Sequence, residues 1–118
     1  MNNKSYYCYL IISNNKTYIG ITNNLTNRIK KHNGELKNGA KSTRSSNSKW
    51  SYHTVIGLFE NKSKAQRFEW YWKHIKNSKN KWIRNRSGIK NKMQRLVQLL
   101  LDNEWDNVKI INLNNHNT

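Results

Sequence analysis

Tyr6-Tyr7-Cys8-Tyr9-Leu10-Ile11-Ile12, Ser13-Asn14-Asn15-Lys16 and Thr17-Tyr18-Ile19-Gly20-Ile21 follow one another without interruption. The first stretch is aromatic and β-branched and reads as a buried strand. The second is a turn, and the third is the returning strand of a hairpin. With Asn14-Asn15 as the loop, Ser13 faces Lys16 and Ile11 faces Tyr18. Tyr9 and Tyr18 then become diagonal neighbours on one face, about 7 to 8 Å apart at the backbone. A slip of one residue would put the two phenols on opposite faces. Half-buried strand tyrosines are common, so position alone assigns them no chemistry.

Downstream, Asn23 or Asn24 can cap a helix that runs to about Asn33, where Gly34 stops it. Residues 35 to 50 form a long polar loop, of a length that is functional or disordered in small domains. Tyr52 to Phe59 is a third strand. Ser63 and Gln66 have the spacing of a capping box for a helix to about Ile75. The chain then turns strongly basic up to Lys92, and a last helix carries Ile89, Met93, Leu96, Val97 and Leu100 at helical spacing. Val108 to Leu113 can form a short terminal strand. This order predicts an α+β fold with a mostly antiparallel sheet of three to four strands flanked by helices. Residues 1–82 would form its core, and 83–118 a helix and strand packed on the same single domain.

The chain has 118 residues with 22 Lys and Arg against 6 Asp and Glu, a net charge of +16. Such an excess is the electrostatic footprint of a polyanion binder, since each neutralised phosphate releases condensed counterions. No apolar run approaches the 18 or so residues of a membrane span, and no basic helix offers a broad lipid-facing stripe. Met1 to Ser5 lead straight into the first strand, so no secretion signal is expected and the protein should be intracellular, nuclear or cytoplasmic. The single Cys8 excludes a disulfide framework and any zinc fold that needs several thiolates. Five Trp and six Tyr in periodic segments exclude a disordered chain.

Three charged or polar side chains fall on apolar helix faces. Leu25 and Ile29 mark the stripe of the first helix, and Arg28 and His32 sit on that stripe as an i, i+4 pair. Snorkelling of the Arg28 stem and a structural His32 are the bland readings. Glu69 lies among Ala65, Phe68, Trp72 and Ile75 on the second helix, the only carboxylate between Glu60 and Asp102. Burying a carboxylate is costly unless it is paired or binds a cation. A salt bridge to Arg28 or another basic residue competes here with a hard-metal site, because Mg²⁺ accepts one or two carboxylates plus waters and phosphate oxygens.

Tyr7-Cys8-Tyr9 followed by Tyr18-Ile19-Gly20, then Arg28, His32 and Glu69 in order, resemble the signature of the GIY-YIG nuclease superfamily. The resemblance covers residues 6 to about 76, with a weaker echo from Leu96 to Leu113. It is strongest to the nuclease domain of the catalytic subunit of the Slx structure-selective endonuclease. That domain has a stretch like His32-Asn33-Gly34-Glu35-Leu36, a Gly-Ala like Gly39-Ala40, a tryptophan like Trp50 and a context like Phe68 to Trp72. Tyr7 and Cys8 stand where the family has Gly and Ile, at what read as packing positions. The Slx subunit's Cys-rich zinc domain has no counterpart in a chain with one cysteine, so a nuclease module by itself is expected.

The resemblance implies a small antiparallel sheet flanked by helices, and metal-dependent hydrolysis of DNA phosphodiester bonds in repair or recombination. It implies that Glu69 holds one Mg²⁺ or Mn²⁺ and that Tyr9 is the general base for water. Tyr18 would position that water or the phosphate, and Arg28 would stabilise charge on the phosphorus. His32 would either activate a tyrosine or donate to phosphate. One carboxylate argues against a two-metal mechanism. Lys37, Lys41, Arg44 and Lys49 on the loop, with Lys79, Lys81, Arg84 and Arg86 later, are candidate phosphate contacts that would set affinity and salt dependence. Flapped or branched DNA is the expected substrate, and a second copy or a regulatory protein stays open as partner. The competing readings are a sequence-specific homing or restriction nuclease, and a non-catalytic basic DNA-binding module.

Overall fold

The computed structural model describes residues 4–35 and 49–111. The hairpin forms in the expected register: β1 (Tyr6–Ser13) pairs antiparallel with β2 (Lys16–Thr22), Ser13 opposite Lys16 and Ile11 opposite Tyr18. Asn14 takes a positive φ of 56° in the loop, a conformation that asparagine tolerates better than most residues. β3 (Ser51–Phe59) pairs with the other edge of β1, and β6 (Lys109–Ile111) pairs with β3. The result is a four-stranded antiparallel sheet in the order β2-β1-β3-β6.

Alternation along β1 divides the core into two layers. Tyr6, Cys8 and Leu10 join Ile19, Ile56 and Phe59 on one face. Helix α2 (Lys62–Lys73) packs there through Ala65, Phe68 and Trp72, and α3 (Ile89–Leu100) adds Leu96 and Leu99. Trp105, in the 3₁₀ turn Asn103–Trp105, closes that layer. On the opposite face Tyr7, Tyr9 and Ile11 pack with Tyr18, Tyr52 and Val55 beneath Leu25 and Ile29 of α1 (Leu25–His32). Asn24 caps α1 by accepting from the Asn27 amide at 3.0 Å, and Gly34 ends it at φ 79°.

Two boundaries depart from the sequence expectation. The cap of α2 is Asn61 and not Ser63: its side chain accepts from the Lys64 amide at 2.9 Å, so the helix starts ahead of the Ser63–Gln66 pair. The same helix ends at Lys73 and not near Ile75, because His74 turns extended and opens a second hairpin. In it β4 (His74–Lys76) pairs with β5 (Trp82–Arg84) within the basic stretch. The Asn77 side chain makes that turn by accepting from the amides of Lys79 and Lys81, at 2.9 and 3.0 Å. Trp70, on the outer side of α2, stacks on His74 and meets Trp82 edge-on, and both tryptophans remain exposed. Among the described residues no helix is long and apolar enough to cross a membrane.

Candidate active site

Four of the five residues singled out in the sequence meet on the α1 face of the sheet. Tyr9 is fully buried at the centre of β1. Its hydroxyl lies 2.7 Å from Nε2 of His32, and Nε of Arg28 donates to it at 3.0 Å. Tyr18 packs edge-on against the His32 ring with centroids 4.9 Å apart. The i, i+4 spacing of Arg28 and His32 delivers both side chains to one phenol, which is why they occupy an apolar stripe. Two anchors fix α1 over the sheet. Tyr52 donates to the Leu25 carbonyl at 2.6 Å, and Asn33 exchanges two hydrogen bonds with the backbone of Trp50.

Burial sets the protonation states. His32 is wholly enclosed, and that burial, with the Arg28 charge, lowers its pKa to about 4. It is therefore neutral at pH 7, and Nε2 can accept the Tyr9 proton while the Tyr9 oxygen accepts from Arg28. Burial pushes the Tyr9 phenol well above its ordinary range, against the opposing pull of Arg28. Desolvation disfavours the Arg28 charge too, but its bond to Tyr9 and the phenols nearby outweigh it and hold the guanidinium protonated.

Glu69 does not join this hydrogen-bonded group. It sits on α2, across the sheet, with about a fifth of its side chain exposed, and accepts from Lys73 Nζ at 2.7 Å. The same ammonium lies 5.9 Å from the centroid of the Tyr18 ring. Because β2 is an edge strand, the two faces communicate around it. Lys73 is the link between the carboxylate on one side and the phenol on the other.

The basic residues divide. Lys37, Lys41 and Arg44 lie outside the described residues, and Lys49 is exposed beside the buried Trp50. Lys79 and Lys81 are exposed around the β4–β5 turn, whereas Arg84 and Arg86 line a cavity of about 600 Å³ beside Tyr18. Lys73 and Lys92 line it as well, and neither was singled out in the sequence. The signal was present for both: Lys73 is four residues from Glu69, and Lys92 falls between Ile89 and Leu96 on the apolar stripe of α3.

The donor set fits one kind of metal site. Glu69 supplies a hard oxygen in a place that already draws a cation, the Lys73 ammonium. Among the described residues no three His, Cys, Asp or Glu side chains converge, so no protein cage is available. An ion held through a single carboxylate, with water and phosphate oxygens completing its shell, is compatible with this arrangement.

Residues 5–83 match the model of the GIY-YIG catalytic domain. A structure-specific endonuclease subunit SLX1 homolog of Cryptosporidium parvum is 42% identical over 72 residues, which is 58% of this chain and 17% of that protein. Structure-specific endonuclease subunit SLX1 of Cryptococcus neoformans is 40% identical over 84 residues, 67% of this chain and 17% of the relative. The Schizosaccharomyces japonicus subunit is 34% identical over 88 residues, 71% of this chain and 32% of its own length. The chain thus spans less than a third of each of these relatives.

Proposed function

The chain belongs to the GIY-YIG family, and from that premise we propose that it is a metal-dependent endonuclease hydrolysing phosphodiester bonds in flapped or branched DNA. The observation that carries this reading is the Arg28–Tyr9–His32 chain of hydrogen bonds with Tyr18 against the His32 ring, together with the Glu69–Lys73 pair whose ammonium lies 5.9 Å from the Tyr18 ring centroid. One partner would satisfy a buried hydroxyl; here Arg28 and His32 both converge on it, a cation on one side and a proton acceptor on the other.

In the proposed mechanism Tyr18, half-buried at the wall of the cavity, orients the attacking water. Tyr9 receives the water's proton and passes its own to Nε2 of His32, which is neutral and hydrogen-bonded to it. Burial and Arg28 leave His32 a weak acceptor in the free protein, and the negative charge of an incoming phosphate would raise its basicity when DNA is bound. Arg28, held charged and aimed by its bond to Tyr9, stabilises the negative charge that builds on the phosphoryl oxygens. Glu69 would hold one divalent ion, Mg²⁺ or Mn²⁺, which when bound polarises the phosphate and steadies the leaving oxygen. Structure selectivity follows the names of the relatives, which call them subunits of structure-specific endonucleases. A protein partner for this chain is proposed on the same ground.

Incubation of the protein with Mg²⁺ or Mn²⁺ and with flap, four-way junction and linear duplex substrates tests the reading. Chelator-sensitive cutting near the branch is expected. Cutting at one motif in linear duplex would replace it with a site-specific nuclease. Binding without any cutting would leave a basic DNA-binding module.

A further inference from the structure

The cavity beside Tyr18 carries more charge than the catalytic chemistry uses. Lys16, Lys73, Arg84, Arg86 and Lys92 all line it, and among the described residues no carboxylate does. Only Lys73 has an acidic partner among the described salt bridges, Glu69 on α2. Lys92 is partly buried, and its ammonium is held in place by Thr17 Oγ1 at 3.0 Å and by the Ser87 carbonyl. Burial, and to a lesser degree the neighbouring Arg84 charge, lower its pKa.

The wall that carries these cations is built. The Asn85 amide donates to the Lys73 carbonyl at 2.7 Å, and the buried Asn85 side chain accepts from the Ser87 amide at 3.1 Å. The Trp72 indole donates to the Lys92 carbonyl at 2.8 Å and ties the first turn of α3 to α2. Holding cations close together in a concave, partly desolvated site is unfavourable by itself, and an anion in the cavity would relieve it. Its position narrows the choice of anion. Tyr18 and Lys73 belong both to the cavity wall and to the candidate catalytic group, so the anion lies next to the reacting phosphate.

We infer that the cavity between β2 and the β5–α3 connection is a strand-binding groove that takes backbone phosphates of the cut strand next to the scissile bond, with Arg84, Arg86 and Lys92 as its phosphate ligands. The identity of the strand as substrate rests on the nuclease reading. The groove itself rests on the cavity and its cations. It also divides the basic surface: Arg84 and Arg86 contact the strand specifically, whereas Lys79 and Lys81 contribute only to the general field.

The test compares two charge-matched double variants, R84Q/R86Q in the groove and K79Q/K81Q on the β4–β5 turn. All four side chains are exposed, so both variants should fold. Binding of a flapped oligonucleotide is followed against KCl concentration with metal chelated, which removes cleavage from the readout. Each lost phosphate contact lowers the slope of log K against log salt by about 0.7 to 0.9. R84Q/R86Q should lower it by roughly 1.5 and K79Q/K81Q by well under half of that. A neutral methylphosphonate placed beside the cut site should weaken binding of the wild type, and weaken that of R84Q/R86Q, which keeps only Lys92 of the three ligands, much less. Equal losses in the two double variants, or a wild type indifferent to the neutral linkage, would overturn the groove. Normal cutting with equal slopes would overturn the groove and spare the nuclease. A groove-specific slope without any cutting would spare the groove and overturn the nuclease.

Discussion

Gly20 stands directly opposite Tyr9 across the β1–β2 ladder, so close that a β-carbon on Gly20 would lie 2.5 Å from the Tyr9 hydroxyl and 2.8 Å from its Cζ. The glycine of Tyr18-Ile19-Gly20 is therefore the space in which the Tyr9 phenol lies. Tyr9 is fully enclosed and has no room to yield. Gly20→Ala should displace the phenol from both His32 and Arg28. Overpacking of this kind costs about 1 to 3 kcal/mol. Cleavage should fall much further than stability, and activity measured beside a denaturation curve separates the two. Full activity in a folded G20A protein would remove Tyr9 from the mechanism.

Lys73 competes with a metal ion for Glu69. The pair is partly exposed and exposed pairs are weak, about 0.2 to 1 kcal/mol, so its loss should tighten metal binding by no more than about fivefold. Mn²⁺ titration of Lys73→Gln, followed by the loss of free-ion electron paramagnetic resonance signal, should show that modest gain. Weaker Mn²⁺ binding in K73Q would mean that the ammonium supports the metal site and does not compete for it.

His32 should make stability depend on pH. Its folded pKa of about 4 lies below the ordinary 6.5, so between these values the unfolded chain binds more protons. The contribution is complete above about pH 6.5 and falls away as pH drops toward 4. Tyr9 and Arg28, the other members of the hydrogen-bonded chain, are both shifted upward and do not titrate in that window. Urea denaturation of wild type and His32→Gln from pH 7 to 4.5 should give a flatter dependence for the variant. Parallel curves would mean that His32 is not held neutral by the fold.

Asn33 closes the distance between α1 and β3. Its side chain donates to the Trp50 carbonyl at 3.1 Å and accepts from the Trp50 amide at 2.7 Å, bridging the ends of the segment from 36 to 48. Removing both bonds in Asn33→Ala should cost about 1 to 3 kcal/mol. Asn33→Asp, which keeps the acceptor, should lose less. Denaturant midpoints of the two variants check the order.

Much of this arrangement was legible because strand periodicity and charge placement leave marks in one dimension. The Asn14-Asn15 loop fixed the hairpin register, and with it the shared face of Tyr9 and Tyr18. Arg28 and His32 betrayed themselves on an apolar stripe. What was not legible depends on contacts between distant elements. The β4–β5 hairpin is too short and too basic to show an alternating pattern, and Asn77 organises it through side-chain bonds that no periodicity records. The Asn33–Trp50 clasp joins residues 17 apart. Separation of Glu69 from the other four residues by the sheet, with Lys73 between, follows from which face α2 covers.

In the proposed enzyme Glu69 and the Arg28–Tyr9–His32 group form one metal-dependent hydrolytic site. Single-turnover cleavage of a flap substrate is compared between wild type and Glu69→Ala at protein concentrations that saturate the DNA. E69A should bind the DNA as tightly as wild type and cut it slower by a factor of roughly 10³ or more. Equal cutting rates by the two proteins would contradict the claim.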